Sequence, residues 1–333
     1  PFVHARTFSY SENMPLEAFN NDFEGDFPRS GRYEFTHNLF EAGIAYRGVE
    51  LSMFTRQDYY FRTIDDTFNL IYIDQNDWDW PLDQVFDIYL HVQKVEANGA
   101  KLGYRFQPDP SLELYAAAKY FESDDVLYGQ LEGRIWQTER RPYADLTLDY
   151  IYTEDSLLDR PLTPPASGYG HGFDLGLSWQ INEQFKVDVL LEDVNARFKW
   201  KHAPHTSAVM VSDRNRIDEN GNPYKVPTLA GQHDFVDRTQ VLPRHNWGRL
   251  TYKFERWRLI AEQETYDRVR FNRLLVGFSP ISWFEVESGF DFKSDAISLK
   301  FWTPYVSLLL GTDEFDLKQS RNIRMDLMLQ YAF

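Results

Sequence analysis

The sequence predicts an all-β chain, a transmembrane antiparallel up-and-down β-barrel of about 16 strands, with 14 or 18 the neighbouring even counts. Three observations predict it. Segments of alternating apolar and polar residues recur along the chain, and successive side chains of a strand point to opposite faces. Short turns alternate with long polar connections, the asymmetry of a membrane-spanning barrel. Aromatic residues flank many of the short turns, where a girdle at a membrane interface would place them.

In chain order, Pro1 to Arg32 alternates poorly and is expected to be an N-terminal extension or an inward-tucked plug, with the barrel occupying 33–333. Leu39–Tyr46 sets Phe40, Ala42, Ile44 and Tyr46 on one face, and Val49–Thr55 follows Arg47-Gly48. Thr67–Ile73 is a weaker strand candidate, and no amphipathic helix of useful length is predicted. Gln84–Val95 carries Phe86, Ile88, Leu90 and Val92, and Asn98-Gly99 predicts a hairpin turn. Lys101–Phe106 and Ser111–Phe121 flank a Pro-rich turn, and Val126–Trp136 and Tyr143–Tyr152 flank Thr138-Glu-Arg-Arg-Pro142. Gly172–Trp179 and Phe185–Trp200 come next. Trp247–Phe254, Trp257–Tyr266, Arg268–Phe278, Trp283–Phe292, Ala296–Trp302, Tyr305–Thr312 and Ile323–Phe333 complete the wall. Both 153–168 and the forty or so residues near 202–245 are expected as extracellular loops, the second long enough to cover the mouth.

The turn aromatics form pairs: Trp136 with Tyr143, Trp179 with Phe185, Phe254 with Trp257, Phe278 with Trp283, and Trp302 with Tyr305. Counting hairpins back from the C-terminus places all five at the periplasmic face.

Composition agrees. The chain has 333 residues, 17% aromatic and 43% hydrophobic, no cysteine and a net charge of -16. Its mean hydropathy of -0.52 leaves no run approaching the ~18 apolar residues of a spanning helix. Half of each spanning strand faces water, so low mean hydropathy suits a polar-lined barrel. The acidic balance argues against a nucleic-acid partner, which would need clustered Lys and Arg. Pro1-Phe-Val-His lacks a basic and apolar leader, so a mature chain is expected.

Ile323, Met325, Leu327, Leu329, Tyr331 and Phe333 share one parity at the C-terminus. This strand, closing on Tyr331-x-Phe333, resembles the C-terminal signature of Gram-negative outer-membrane β-barrels. The resemblance implies residence in the outer membrane among its lipids, with Tyr331 and Phe333 acting as an assembly signal for the barrel-assembly machinery. It also implies a possible homotrimer, as general porins form, although no constriction-loop motif is present.

With the apolar parity facing lipid, the other parity gives the expected lumen. Its charged members are Glu113, Lys119, Glu132, Arg134, Asp145, Asp149, Lys186, Asp188 and Glu192. They continue as Arg249, Arg258, Glu262, Glu285, Glu287, Asp291, Lys300, Arg324 and Asp326. Singly these are wall-stiffening salt bridges; together they set a field that selects solutes by charge. The acidic cluster Glu285, Glu287, Asp291, Asp145 and Asp149 predicts mild cation preference. Expected functions are passage of small hydrophilic solutes or, in a different class, a conduit or scaffold in a larger envelope complex. Neither enzyme activity nor a cofactor is expected. His202-x-x-His205 reads as a solvated loop pair rather than metal ligands. Asp218-Glu-Asn-Gly-Asn222 reads as an Asx-type turn rather than a calcium loop, and His233-Asp234 has no matching acidic pair for protease chemistry.

Overall fold

The computed structural model describes residues 1–21, 23, 26–138, 142–154, 166–217, 220–221 and 223–331. Its strands are β1 (Phe2–Ser11), β2 (Tyr33–Tyr46), β3 (Val49–Thr63), β4 (Val85–Asp109), β5 (Leu112–Gln137) and β6 (Pro142–Tyr152). They continue as β7 (Ser167–Gln180), β8 (Phe185–Ile217), β9 (Pro223–Val241), β10 (His245–Phe254) and β11 (Trp257–Tyr266). The last are β12 (Val269–Ile281), β13 (Phe284–Asp291), β14 (Ile297–Trp302), β15 (Val306–Thr312) and β16 (Asn322–Gln330). One helix, α1 (Asp65–Gln75), stands between β3 and β4.

Every neighbouring pair is antiparallel, and β1 pairs with both β2 and β16, from Phe2 opposite Gln330 to Tyr10 opposite Asn322. That seam closes the sheet into a barrel of 14 strands. The order is β1 to β5, then β7, β8 and β10 to β16. The other two strands lie outside the wall. β5 pairs with β7 over its first half and with β6 over its second. β8 likewise pairs with β10 near its start and with β9 beyond Arg197. Strands of 25, 26 and 33 residues in β4, β5 and β8 far exceed the ~9–11 that span a bilayer. Their upper halves, with β6 and β9, stand above the membrane as one sheet.

The outside is apolar. Met53 is 75% exposed and Leu274 57%, and Ile44, Leu102, Leu250 and Leu310 are exposed at the same height. Such surface is tolerated facing lipid and not water. Above this belt the outward parity turns to amides and hydroxyls that bond across strands. Asn38 Nδ2 donates to Gln57 Oε1 at 3.2 Å, Thr55 Oγ1 to Asn98 Oδ1 at 2.7 Å, and Gln263 Nε2 to Asn272 Oδ1 at 2.9 Å. Below it the aromatic girdle forms at the short-turn end, which is periplasmic by the usual loop asymmetry. There Trp257 and Phe278 lie 4.7 Å apart, Phe185 and Tyr252 4.9 Å, and Tyr305 stacks with Tyr331 at 6.4 Å. Arg47 and Gly48, at φ 48° and 84°, make the two-residue turn between β2 and β3 that a twisted hairpin favours.

Several expectations are corrected. Phe2–Ser11 is a wall strand and so belongs to neither a periplasmic extension nor a lumenal plug. Thr67–Ile73 lies within helix α1. Asn98-Gly99 is not a turn but mid-strand in β4, where a Cβ on Gly99 would stand 2.4 Å from the Phe54 ring and 2.5 Å from the Tyr120 carbonyl. The region near 202–245 is no irregular loop: β8 and β9 form a long hairpin there. Trp136 and Tyr143 stack at 5.5 Å, but at the extracellular tip of β5 and β6, opposite the girdle. Residues 139–141 and 155–165, and most of the 218–222 motif, lie outside the described residues.

Candidate functional site

The inward faces of the wall strands build the lumen, in three levels. At the periplasmic end lies a vestibule of two cavities, about 580 Å³ and 440 Å³, that share Lys186, Asp188 and Trp247. The larger reaches His4, Arg6, Glu50 and Arg105; the smaller reaches Arg249, Arg258, Glu285, Glu287 and Lys300. Pairing here is partial and wet. Arg105 lies 3.2 Å from Glu113 with both side chains roughly half exposed.

At mid-height the charges close on one another. Arg56 Nε donates to Asp58 at 2.8 Å, and its guanidinium lies 3.0 Å from Asp193. Lys119 Nζ sits 2.6 Å from Asp193 and 2.7 Å from Asp174. His37 contacts Asp58 through Nδ1 and Arg6 through Nε2, and Arg6 donates to Glu192 at 2.9 Å. His245 bridges Glu192 and Glu264. Arg273 reaches Glu262 at 3.0 Å, Glu264 at 2.5 Å and Asp291 at 2.7 Å, and Arg324 reaches Glu264 at 3.0 Å. Asp58, Asp193, Glu264 and Arg273 are all 5% exposed or less. Taking charges out of water costs several kcal/mol each unless the partners are close and complete, so this layer holds only as a network.

The geometry says more. β1 and β8 stand first and seventh in a ring of fourteen, on nearly opposite walls, yet Arg6 and Glu192 touch. Such a contact requires the barrel to be pinched flat at this height. The level above repeats it in aromatic residues. Phe35 of β2 stacks on Tyr266 of β11 at 4.3 Å, and Tyr60 Oη donates to Asp267 at 2.6 Å. Phe8, Tyr10 and Phe271 complete this cluster, and the Arg273 guanidinium lies 5.4 Å from the Phe271 ring. A second cluster, around Phe54, Phe121, Phe198 and Trp200, fills the lumen beneath the extracellular sheet. Between Arg6, Arg56, Lys119 and Asp193 lies a gap of about 20 Å³. That is about one water molecule's worth of space.

Of the residues expected in the lumen, Glu113, Lys186, Asp188, Arg249, Arg258, Glu285, Glu287 and Lys300 line the vestibule. Lys119, Glu192, Glu262, Asp291 and Arg324 belong to the mid-height network, and Asp326 joins its edge through His4 at 3.2 Å. Glu132, Arg134, Asp145 and Asp149 do not line the membrane lumen. They stand on the extracellular sheet, because β5 runs on past the bilayer and β6 pairs with it there. Asp149 contacts Arg238, and lies 3.2 Å from His205. His205 is itself buried and 2.7 Å from Asp234, so it is not the solvated loop residue expected. Tyr331 follows β16; Phe333 lies outside the described residues.

Central residues that sequence reasoning missed are Arg6, His37, Arg56, Asp58, Asp174, Asp193, His245 and Arg273. Arg56 and Asp58 share the inward parity of β3 with Glu50, Ser52 and Phe54, and that signal was present.

A closed antiparallel wall, an apolar belt of spanning height and a charged interior decide the class. The chain is a transmembrane β-barrel of the outer-membrane type. No family model and no curated sequence matches it. Among solved structures it is similar to the Pseudomonas putida toluene transporter TodX, at 7% identity over 98% of this chain and 87% of that one, TM-score 0.46. The CymD monoaromatic hydrocarbon channel is similar at 9% identity, 99% and 89% coverage and TM-score 0.41. The β domain of the Bordetella autotransporter BrkA is similar at 12% identity, 100% and 99% coverage and TM-score 0.29. The assignment rests on this chain's own closure, belt and lumen.

Proposed function

We propose that this barrel is an outer-membrane channel for small hydrophilic solutes, held shut at mid-height by its ion-pair layer. One observation carries the reading: a vestibule of paired and unpaired charges, wide enough for a small solute, ends against cross-lumen contacts between Arg6, Glu192, Arg56 and Asp193. Charges facing a lumen serve a hydrated path, whereas a barrel meant only to stand in the membrane has no need of a charged vestibule. Opening requires those side chains to part, and water to replace their bonds.

The vestibule mixes both signs, so the cation preference is mild. Its larger cavity has more acids than bases, and its smaller one the reverse. The C-terminal sequence signature at Tyr331 and Phe333 serves the assembly machinery in this reading.

The test is conductance in planar bilayers and swelling of liposomes in graded sugars. Wild-type protein is expected to open rarely, and Arg56→Ala with Lys119→Ala to raise open probability, with a reversal potential on the cation side. Heat-modifiable gel migration verifies that the variant is folded.

A second reading, a barrel that acts as scaffold or conduit within an envelope complex, is favoured by the filled mid-lumen and by the sheet that β8 and β9 raise above the membrane. A folded variant that conducts no more than a silent wild type would select it.

A further inference from the structure

A large cavity lies outside the lumen, on the outer wall just above the belt. The described residues between β1 and β2 fold over that wall as an apron. Leu16 N donates to the Ser320 carbonyl at 2.9 Å, Ser30 Oγ to Asp65 at 2.7 Å, and Asn76 Nδ2 to the Phe23 carbonyl at 3.1 Å. Met14 and Ala18 pack on Phe68 and Tyr72 of α1, with Phe19 and Phe23 at the edge. Beneath this apron is a cavity of about 820 Å³. That size is within the ~300–1,000 Å³ of small-molecule sites.

Its two walls differ in kind. The apron supplies Leu16, Phe19 and Phe23; the barrel supplies the outward residues Ser9, Glu34, Thr36, Tyr59 and Phe61. Ser9 and Thr36 satisfy each other through their hydroxyls at 2.9 Å. Glu34 is different. It is 3% exposed, and neither carboxylate oxygen has a hydrogen-bond partner among the described residues. A buried acceptor left unmatched destabilises the fold, more so when charged, so a donor entering the cavity would recover that loss. Acids outnumber bases in the lining, Glu17 and Glu34 against Lys318; burial and the nearby Glu12 lift the Glu34 carboxyl to about 8, and a cation beside it would hold it ionised. Thr7, opposite Asn38 in the β1–β2 ladder, sets the site level with the amide collar, where an amphiphile partitioned at the membrane surface would arrive.

We propose that this lateral cavity binds an amphiphilic organic ammonium ion, its nitrogen on Glu34 and its apolar body between Phe19, Phe23 and Phe61. The site is separate from the lumen and independent of whether the barrel conducts.

The test uses full-length protein in lipid nanodiscs, with phenethylammonium as probe and phenylpropionate as its anionic counterpart, read by saturation-transfer NMR and titration calorimetry. Wild-type protein is expected to bind the ammonium at least tenfold more tightly than the carboxylate. Glu34→Gln should reduce ammonium affinity about tenfold. Since neither Glu34 carboxylate oxygen has a partner among the described residues, the variant should keep the wild-type melting temperature or exceed it. Phe19→Ser should weaken binding without reversing the charge preference. Equal binding of both probes, unchanged affinity in Glu34→Gln, or no ammonium binding by wild type each overturns the proposal. If Glu34→Gln melts lower, the carboxylate has a structural partner and the proposal falls as well.

Discussion

Arg105 and Arg273 face the same lumen and differ in almost everything else. Arg105, in the vestibule, is 47% exposed and meets a Glu113 that is nearly as wet; its other contact, 3.4 Å to Glu50, is to a carboxylate that Lys101 already holds at 3.2 Å. Arg273, at mid-height, is 5% exposed and is held by Glu262, Glu264 and Asp291 together. An exposed pair gains little, since water and salt screen it and two long side chains lose freedom. A buried cluster cannot give up one member cheaply, because the remaining charges stay behind without water or partner. One barrel therefore has a charged mouth that can rearrange and a charged waist that cannot do so without cooperative change.

Arg273→Met should have the largest effect. It takes the cation from Asp291 and leaves Glu262 and Glu264 to share Arg324, and is expected to destabilise the folded barrel by ~3–5 kcal/mol, read from denaturant midpoints in lipid vesicles. A loss under 1 kcal/mol would mean that water already reaches the waist and would dissolve the contrast.

Asp149 occupies the middle ground, on the extracellular sheet. Burial pushes its carboxyl up, but Arg238 and His205 outweigh that and hold it below the ordinary aspartate range. A depressed carboxylate stabilises the fold above the ordinary value of 3.8 and loses that contribution as pH falls through the folded-state value. Asp149→Asn should abolish this acid-side loss. The expected change is under ~1 kcal/mol, since the pair is partly exposed, and appears as altered hydrogen exchange in β6 between neutral and acid pH. An identical pH profile in the variant would assign the acid sensitivity elsewhere.

Arg105→Ala should be smallest, within ~0.5 kcal/mol and erased by raised salt. A salt-independent loss would show that the mouth is as closed as the waist.

How much of this could be read from the sequence depended on which face of each strand carried the bulk. β11, β12 and β16 show clean apolar outward parity, and the wall there follows the sequence expectation. β1 was missed because its faces are reversed in size. Phe8 and Tyr10 point inward to the aromatic layer, while Thr7 and Ser9 face out under the apron. Helix α1 escaped because it is apolar on two sides, Phe68 and Tyr72 packing on the apron, and Leu70 and Ile73 on Phe86 and Ile88. Asn98-Gly99 carries a turn signal, but the glycine serves the close approach of Phe54 and Tyr120. The charged parity of the wall was legible, and the mid-height pairing was not. Contacts such as Arg6 with Glu192, 186 residues apart in the chain, arise only when the ring closes and flattens.

The side-chain amides on the outer faces of β2, β3, β4, β11 and β12 have a consequence for how the protein rides in its bilayer. Asn38, Gln57, Asn98, Gln263 and Asn272 hold no proton to gain or lose across the pH range a bacterium meets. Each bonds a neighbouring side chain across the strands, and Gln57 also reaches the titratable Glu96. Over these strands the waterline is thereby drawn mostly by groups that keep their form as acidity changes, and the extracellular sheet keeps its altitude there.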